Sequence, residues 1–212
     1  MNKKVAFIGL GVMGFPMAGW LSKNGYSVSV YNRTTSVAKK WLDTYAGSIA
    51  SSPSTAAADA EIVFICVGND NDVLEVVCGE KGILSGIKQG AILVDHTTTS
   101  AELAKELAVK AKKHHCEFVD APVSGGQQGA ENGQLTVMCG GDEIIFNRVT
   151  DAINCYAKAL NLLGPVGSGQ LCKMVNQICI AGLVQGLAEG LNFAQRAGLD
   201  AHQVVDVISK GA

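Results

Sequence analysis

No stretch of the 212-residue chain reaches the roughly 20 consecutive apolar residues that cross a bilayer. The apolar run in the opening "MNKKVAFIGLGVMG" breaks at glycines too soon for a secretory h-region. Nor is there an excess of positive charge: 17 Lys+Arg stand against 19 Asp+Glu, for a formal charge of -2. That balance argues against a polyanion-binding surface, and so against nucleic acid as a partner. The seven cysteines (66, 78, 116, 139, 155, 172 and 179) are odd in number and form no CxxC pair. Most sit in apolar runs such as "IVFICVG", which points to buried, reduced thiols and a cytoplasmic protein with no membrane partner. No His/Asp/Glu group has metal-ligand spacing, and no metal is expected. Internal repeats and low-complexity tracts are also missing.

What is present is an apolar content of 48% in a chain long enough for one sizeable domain and part of a second. "KVAFIGLG" reads as a strand buried on both faces, as in a parallel sheet. Similar runs lie at 26–32, 61–68, 91–97, 117–123 and 134–141, with helical patterns between them at 14–24, 35–46, 70–78, 100–114 and 142–159. This alternation predicts an α/β, doubly wound, Rossmann-like domain over 1–165. The turn-rich "LGPVGSG" then leads into a long helix over 170–196, with Leu171, Met174, Val175, Ile178, Val184, Leu187 and Leu191 at helical spacing. Asp200, with Gln203 three residues on, signals another helix start, so 166–212 reads as the long helix and an incomplete all-α domain.

Gly9, Gly11 and Gly14 take the G-x-G-x-x-G spacing between a predicted strand and helix, with Leu10, Val12 and Met13 completing the loop. In that context the glycines allow a tight turn, close backbone approach to a pyrophosphate and close helix–strand packing. An NAD site usually places Asp or Glu at the end of the second strand to bond the ribose 2′-OH, but this chain has Asn32-Arg33-Thr34. Arg33 offers a planar fork to a 2′-phosphate, and Asn32 and Thr34 add neutral hydrogen bonds, so NADP is the expected cofactor with NAD possible.

"FIGLGVMGFPMAGWL", "DHTTTS", "DAPVSGG", "GQLTVMCGGD" and "GPVGSGQLCKMVNQ" together resemble the β-hydroxyacid dehydrogenases, the group of 3-hydroxyisobutyrate dehydrogenase and the tartronate, glyoxylate and succinic semialdehyde reductases. The resemblance implies a Rossmann-like domain, a long interdomain helix and a helical domain that builds the oligomer, most of it lacking here. It implies a catalytic Lys173 with Asn176 in the "G-x-G-x-x-x-K-x-x-N" block, and a carboxylate pocket at Ser124, Gly125 and Gly126. It also implies a Thr98 contact near the nicotinamide and a second cofactor lysine beyond residue 212. Gln177 stands where many members carry a second Asn, and is read as substrate-binding.

The residues themselves suit the same chemistry. A lysine gives a proton to a developing alkoxide, or takes one from an alcohol, if desolvation lowers its pKa toward working pH. Spacing of i, i+3 places Asn176 on the same helix face as Lys173. The "GPVGSG" turn frees the backbone to approach the substrate, and its N–H groups suit a carboxylate. The expected activity is hydride transfer between nicotinamide and a small β-hydroxy acid or its semialdehyde, by a homo-oligomer. The alternative is a truncated, cofactor-binding interaction module without turnover. His96 and Asp120 are expected to be structural.

Overall fold

The structure, a computed structural model, describes residues 3–211. Its first part runs β1 (Lys4–Ile8), α1 (Gly14–Lys23), β2 (Ser27–Tyr31), α2 (Thr35–Leu42), β3 (Ser48–Ile49) and α3 (Pro53–Ala57). It continues through β4 (Ile62–Ile65), α4 (Asp70–Cys78), β5 (Ile92–Asp95), α5 (Ala101–Lys113) and β6 (Glu117–Asp120). The six strands form one parallel sheet in the order β3-β2-β1-β4-β5-β6.

Alternation within these strands sorts side chains to two cores. Val5, Phe7, Val28, Val30, Ile62, Phe64, Ile92 and Val94 pack on one face, against Met17 and Leu21 of α1 and Trp41 of α2. Ala6, Ile8, Val63, Ile65 and Leu93 pack on the other, against Val73 and Val77 of α4 and Leu103 and Leu107 of α5. Burial on both faces explains why these strands read as continuous apolar runs. The chain is thereby shown to be α/β and doubly wound.

A smaller sheet follows, made by β7 (Val123–Ser124), β8 (Leu135–Cys139) and β9 (Ala157–Leu162), with α6 (Gly126–Glu131) and α7 (Glu143–Ile153) between them. An antiparallel bridge from Asp120 to Gly140 ties it to β6. The helix expected over 142–159 is corrected here: α7 stops at Ile153 and 157–162 pairs in parallel with β8. Half-buried and exposed positions vary along "AKALNL", a strand-like pattern in a segment too short to separate from a continuing helix by sequence.

The final helices are α8 (Ser168–Arg196, 29 residues) and α9 (Ala201–Ile208). Asp200 caps α9, its carboxylate accepting from His202 N–H at 2.8 Å and Gln203 N–H at 3.1 Å. The chain divides into two compact units between Lys173 and Met174, inside α8. In the second unit Val175, Ile178, Leu183, Val184, Leu187 and Phe193 are exposed. By length and composition alone α8 is apolar enough to cross a membrane, with a mean hydropathy of 1.3 over an 18-residue window. Counting uninterrupted runs misses this because isolated amides and Glu189 break every run without lowering the average much. The core helix of a globular protein meets the same criterion.

Candidate cofactor and active site

The sheet order reverses between β1 and β4, and ligands of doubly wound sheets bind at the carboxyl ends of the strands where that happens. A cavity of about 690 Å³ lies there, and it brings together Gly9, Gly11, Val12, Met13, Gly14, Asn32, Arg33 and Thr34. The glycines divide the work. Gly9 has a φ of +96°, and a Cβ there would collide with the Cys66 carbonyl of β4's end. A Cβ on Gly14 would collide with the Gly9 carbonyl, so α1 packs down on the loop only without one. A Cβ on Gly11 would meet nothing within 4 Å, so its absence opens the cavity instead of relieving internal packing.

The N–H groups of Gly11, Val12 and Met13 find no acceptor among the described residues. Unpaired donors at the start of α1, where the helix dipole is positive, fit the pyrophosphate of a dinucleotide. Leu10 is held differently: its N–H donates to Asn32 Oδ1 at 2.9 Å, and Asn32 Nδ2 donates to the Thr34 carbonyl at 3.1 Å. Asn32 therefore shapes the loop, and only one amide N–H remains for a ligand. Arg33 reaches into solvent beside Asp72 of α4, with Nη1 3.5 Å from Oδ1. The Thr34 hydroxyl makes no capping bond to α2 and lines the same cavity. Cys66, in the cavity wall, is pushed up to about 12 by burial and is an inert thiol at neutral pH.

Beyond β5, His96, Thr97 and Thr99 are buried. His96 lies under Phe64, with rings parallel and centroids 5.8 Å apart. Its Nδ1 donates to the Ala121 carbonyl at 2.6 Å, and its Nε2 accepts from the Tyr156 hydroxyl at 2.8 Å. Burial holds the imidazole down at about 4, so it is neutral and structural. Asp95 accepts from Thr97 N–H at 2.9 Å, while its Oδ2 has no partner among the described residues. Burial pushes this carboxyl up to about 7. Thr98 is exposed and does not line the cofactor cavity.

Asp120 at the end of β6 receives the start of α8. Its Oδ1 accepts from Gly167 N–H at 2.7 Å and its Oδ2 from Gln170 N–H at 2.9 Å. The Gly167 N–H belongs to the turn whose N–H groups were expected to suit a substrate carboxylate, and it holds the protein's own carboxylate instead. A Cβ on Gly169 would collide with the Met138 carbonyl, so glycine lets α8 begin directly on the ends of β6 and β8. One turn later Lys173 is 8% exposed. Burial alone lowers its pKa, and no carboxylate contributes. Ser124, paired with Thr136, is half-buried, and Gly125 and Gly126 follow with φ of +131° and +60°. None of the three lines the cofactor cavity. Asn176 and Gln177 lie in the second unit, where Asn176 Nδ2 donates to Gln177 Oε1 at 3.4 Å. Gln170 and Asp72 were not anticipated; the Thr97–Thr99 backbone and the Arg33 guanidinium that they meet are distant in sequence.

A doubly wound sheet with an open anion cradle at its switch point has the features of a dinucleotide-binding domain. Residues 4–167 match the NAD binding domain of 6-phosphogluconate dehydrogenase, and residues 167–212 match the NAD-binding family of NADP-dependent 3-hydroxyisobutyrate dehydrogenase. The chain belongs to the β-hydroxyacid dehydrogenase family. It is 61% identical over 209 residues to an uncharacterized oxidoreductase of Shewanella frigidimarina, covering 99% of this chain and 72% of that one. The mitochondrial 3-hydroxyisobutyrate dehydrogenase of Rattus norvegicus is 37% identical over 206 residues, covering 97% and 61% respectively. The solved 3-hydroxyisobutyrate dehydrogenase of Mycobacterium tuberculosis with L-serine superposes with a TM-score of 0.90 at 29% identity, over 100% of this chain and 72% of its own. The chain thus spans between 61% and 72% of the length of these relatives.

Proposed function

We propose that this chain carries an NADP-preferring dehydrogenase/reductase activity on a small β-hydroxy acid and its semialdehyde, with Lys173 as general acid/base. When bound, the nicotinamide supplies or accepts the hydride. The observation that carries the reading is the isolated, nearly buried Lys173 on a helix start anchored by Asp120. An amine so desolvated gives up its proton more readily than a surface lysine, so it serves both directions of an alcohol–carbonyl interconversion. Asn176 is read as orienting the substrate, with Gln177, Ser124 and the Gly125–Gly126 backbone gripping its carboxylate. Thr98 is read, from the family resemblance alone, as a contact near the nicotinamide, and Arg33 is the feature that supports NADP. Seven free cysteines support a reducing compartment, read as the cytoplasm.

Steady-state oxidation of NADPH and NADH, over glyoxylate and the succinic, tartronate and methylmalonate semialdehydes, tests this. Lys173→Ala should lower kcat by about 10²-fold or more while NADPH still binds. Retained turnover in that variant would remove Lys173 from the chemistry. The exposed apolar residues of α8 and α9 favour the second reading, a cofactor-binding module without turnover. NADPH binding with silence toward every substrate would select it.

A further inference from the structure

We infer that Gln170 is a positioning residue for Lys173, its buried carboxamide fastening the first turn of α8 to the Thr97–Thr99 turn at the end of β5. The inference rests on the reading of Lys173 as the proton carrier. Gln170 is fully buried. Its Nε2 donates to the Thr97 carbonyl at 2.7 Å and its Oε1 accepts from Thr99 N–H at 3.0 Å. One carboxamide thus satisfies both a backbone acceptor and a backbone donor of this turn. Only a side chain with one donor and one acceptor in that plane does this.

The backbone of the same residue is also engaged, its N–H donating to Asp120 Oδ2 at 2.9 Å. Gln170 is thus fixed both to the end of β6 through its main chain and to the segment after β5 through its side chain. Lys173 follows it by three residues, so the axial position and rotation of this turn set where the amine stands. The clamp also reaches the cofactor cavity. Thr97 Oγ1 accepts from the N–H of Val67, a wall residue of that cavity, at 3.1 Å, and Thr97 N–H donates to Asp95. One buried hydrogen-bonded chain therefore runs from the cavity wall through Thr97 and Gln170 to the helix that carries the lysine.

Gln170→Met keeps the length of the side chain and removes both bonds. In this variant kcat should fall about tenfold or more, with the KM for NADPH within about threefold of wild type, because orientation rather than binding is lost. Labelling of Lys173 by an amine-directed reagent, mapped by mass spectrometry, should accelerate by about threefold or more as the turn loosens its hold. Thermal unfolding followed by circular dichroism checks that the variant is folded. Gln170→Glu, which keeps an acceptor toward Thr99, is read by the same criteria if Gln170→Met does not fold. A folded variant whose kcat and Lys173 labelling both match wild type overturns the clamp. Turnover surviving in Lys173→Ala would instead overturn the proton-carrier reading, and the labelling comparison, which needs no turnover, would still judge the clamp.

Discussion

At the scale of single residues, the proposed preference for NADP turns on Arg33 and its neighbour Asp72. The guanidinium is almost fully exposed, and among the described residues its one ionic contact is the 3.5 Å approach to Asp72 at the cavity edge. A 2′-phosphate competes directly for it with planar, charge-assisted hydrogen bonds. Arg33→Ala should raise the KM for NADPH by about 10- to 100-fold, the loss expected for charged hydrogen bonds, and leave the KM for NADH within about twofold. Asp72→Asn should act in the opposite sense, lowering the KM for NADPH by removing the competing carboxylate. Equal effects of Arg33→Ala on both cofactors would show that the fork does not read the 2′-position. Asn32 stands apart from this pair: its bonds to Leu10 and Thr34 serve the loop common to both cofactors.

At the scale of the element, the end of β5 carries two buried groups whose titrations oppose each other. His96 titrates at about 4 when folded against an ordinary 6.5, so only the unfolded chain binds that proton between those values. Stability from His96 therefore falls as pH drops through the window, by on the order of 3 kcal/mol. Asp95 titrates at about 7 when folded against 3.8, so here the folded chain holds the proton. Its contribution is complete below 3.8 and is lost as pH rises through about 7, by on the order of 4 kcal/mol. The two slopes largely cancel between about pH 4 and 6.5. Asp95→Asn keeps an acceptor for Thr97 N–H and removes one slope. Urea unfolding from pH 4.5 to 8 should show the variant losing stability toward acid more steeply than wild type, and gaining relative to wild type as pH rises. Parallel curves would mean that Asp95 does not hold its proton in the folded state. This network is also where sequence legibility ended. The apolar strands and the glycine loop were readable because each is a local pattern, whereas Lys173 was singled out only by its match to a family block. By contrast, β3 and β7 are two-residue strands made by pairing, and Gln170, His96 and Asp120 bond partners 25 to 73 residues away. Nothing in their immediate neighbourhoods encodes those partners.

At the scale of the whole molecule, the open question is what covers α8. Val175, Ile178, Ile180, Leu183, Val184, Leu187 and Phe193 are all exposed, and they are distributed around the helix without forming one stripe. A helix apolar on all sides is stable in water only when surrounded, so the exposed area is a demand for packing. Each such side chain contributes about 1.5–3 kcal/mol on full burial, which makes a few of them enough to drive association. The expectation of a homo-oligomer follows from that demand. Sedimentation velocity at micromolar concentration should show a species larger than the 22.0 kDa chain. Leu183→Glu, at a position 72% exposed, should shift the population toward monomer without lowering the stability of the first unit, because the charge costs nothing until a partner buries it. A wild-type chain that sediments as a monodisperse monomer, unaltered by Leu183→Glu, would show that a second copy is not what this helix requires.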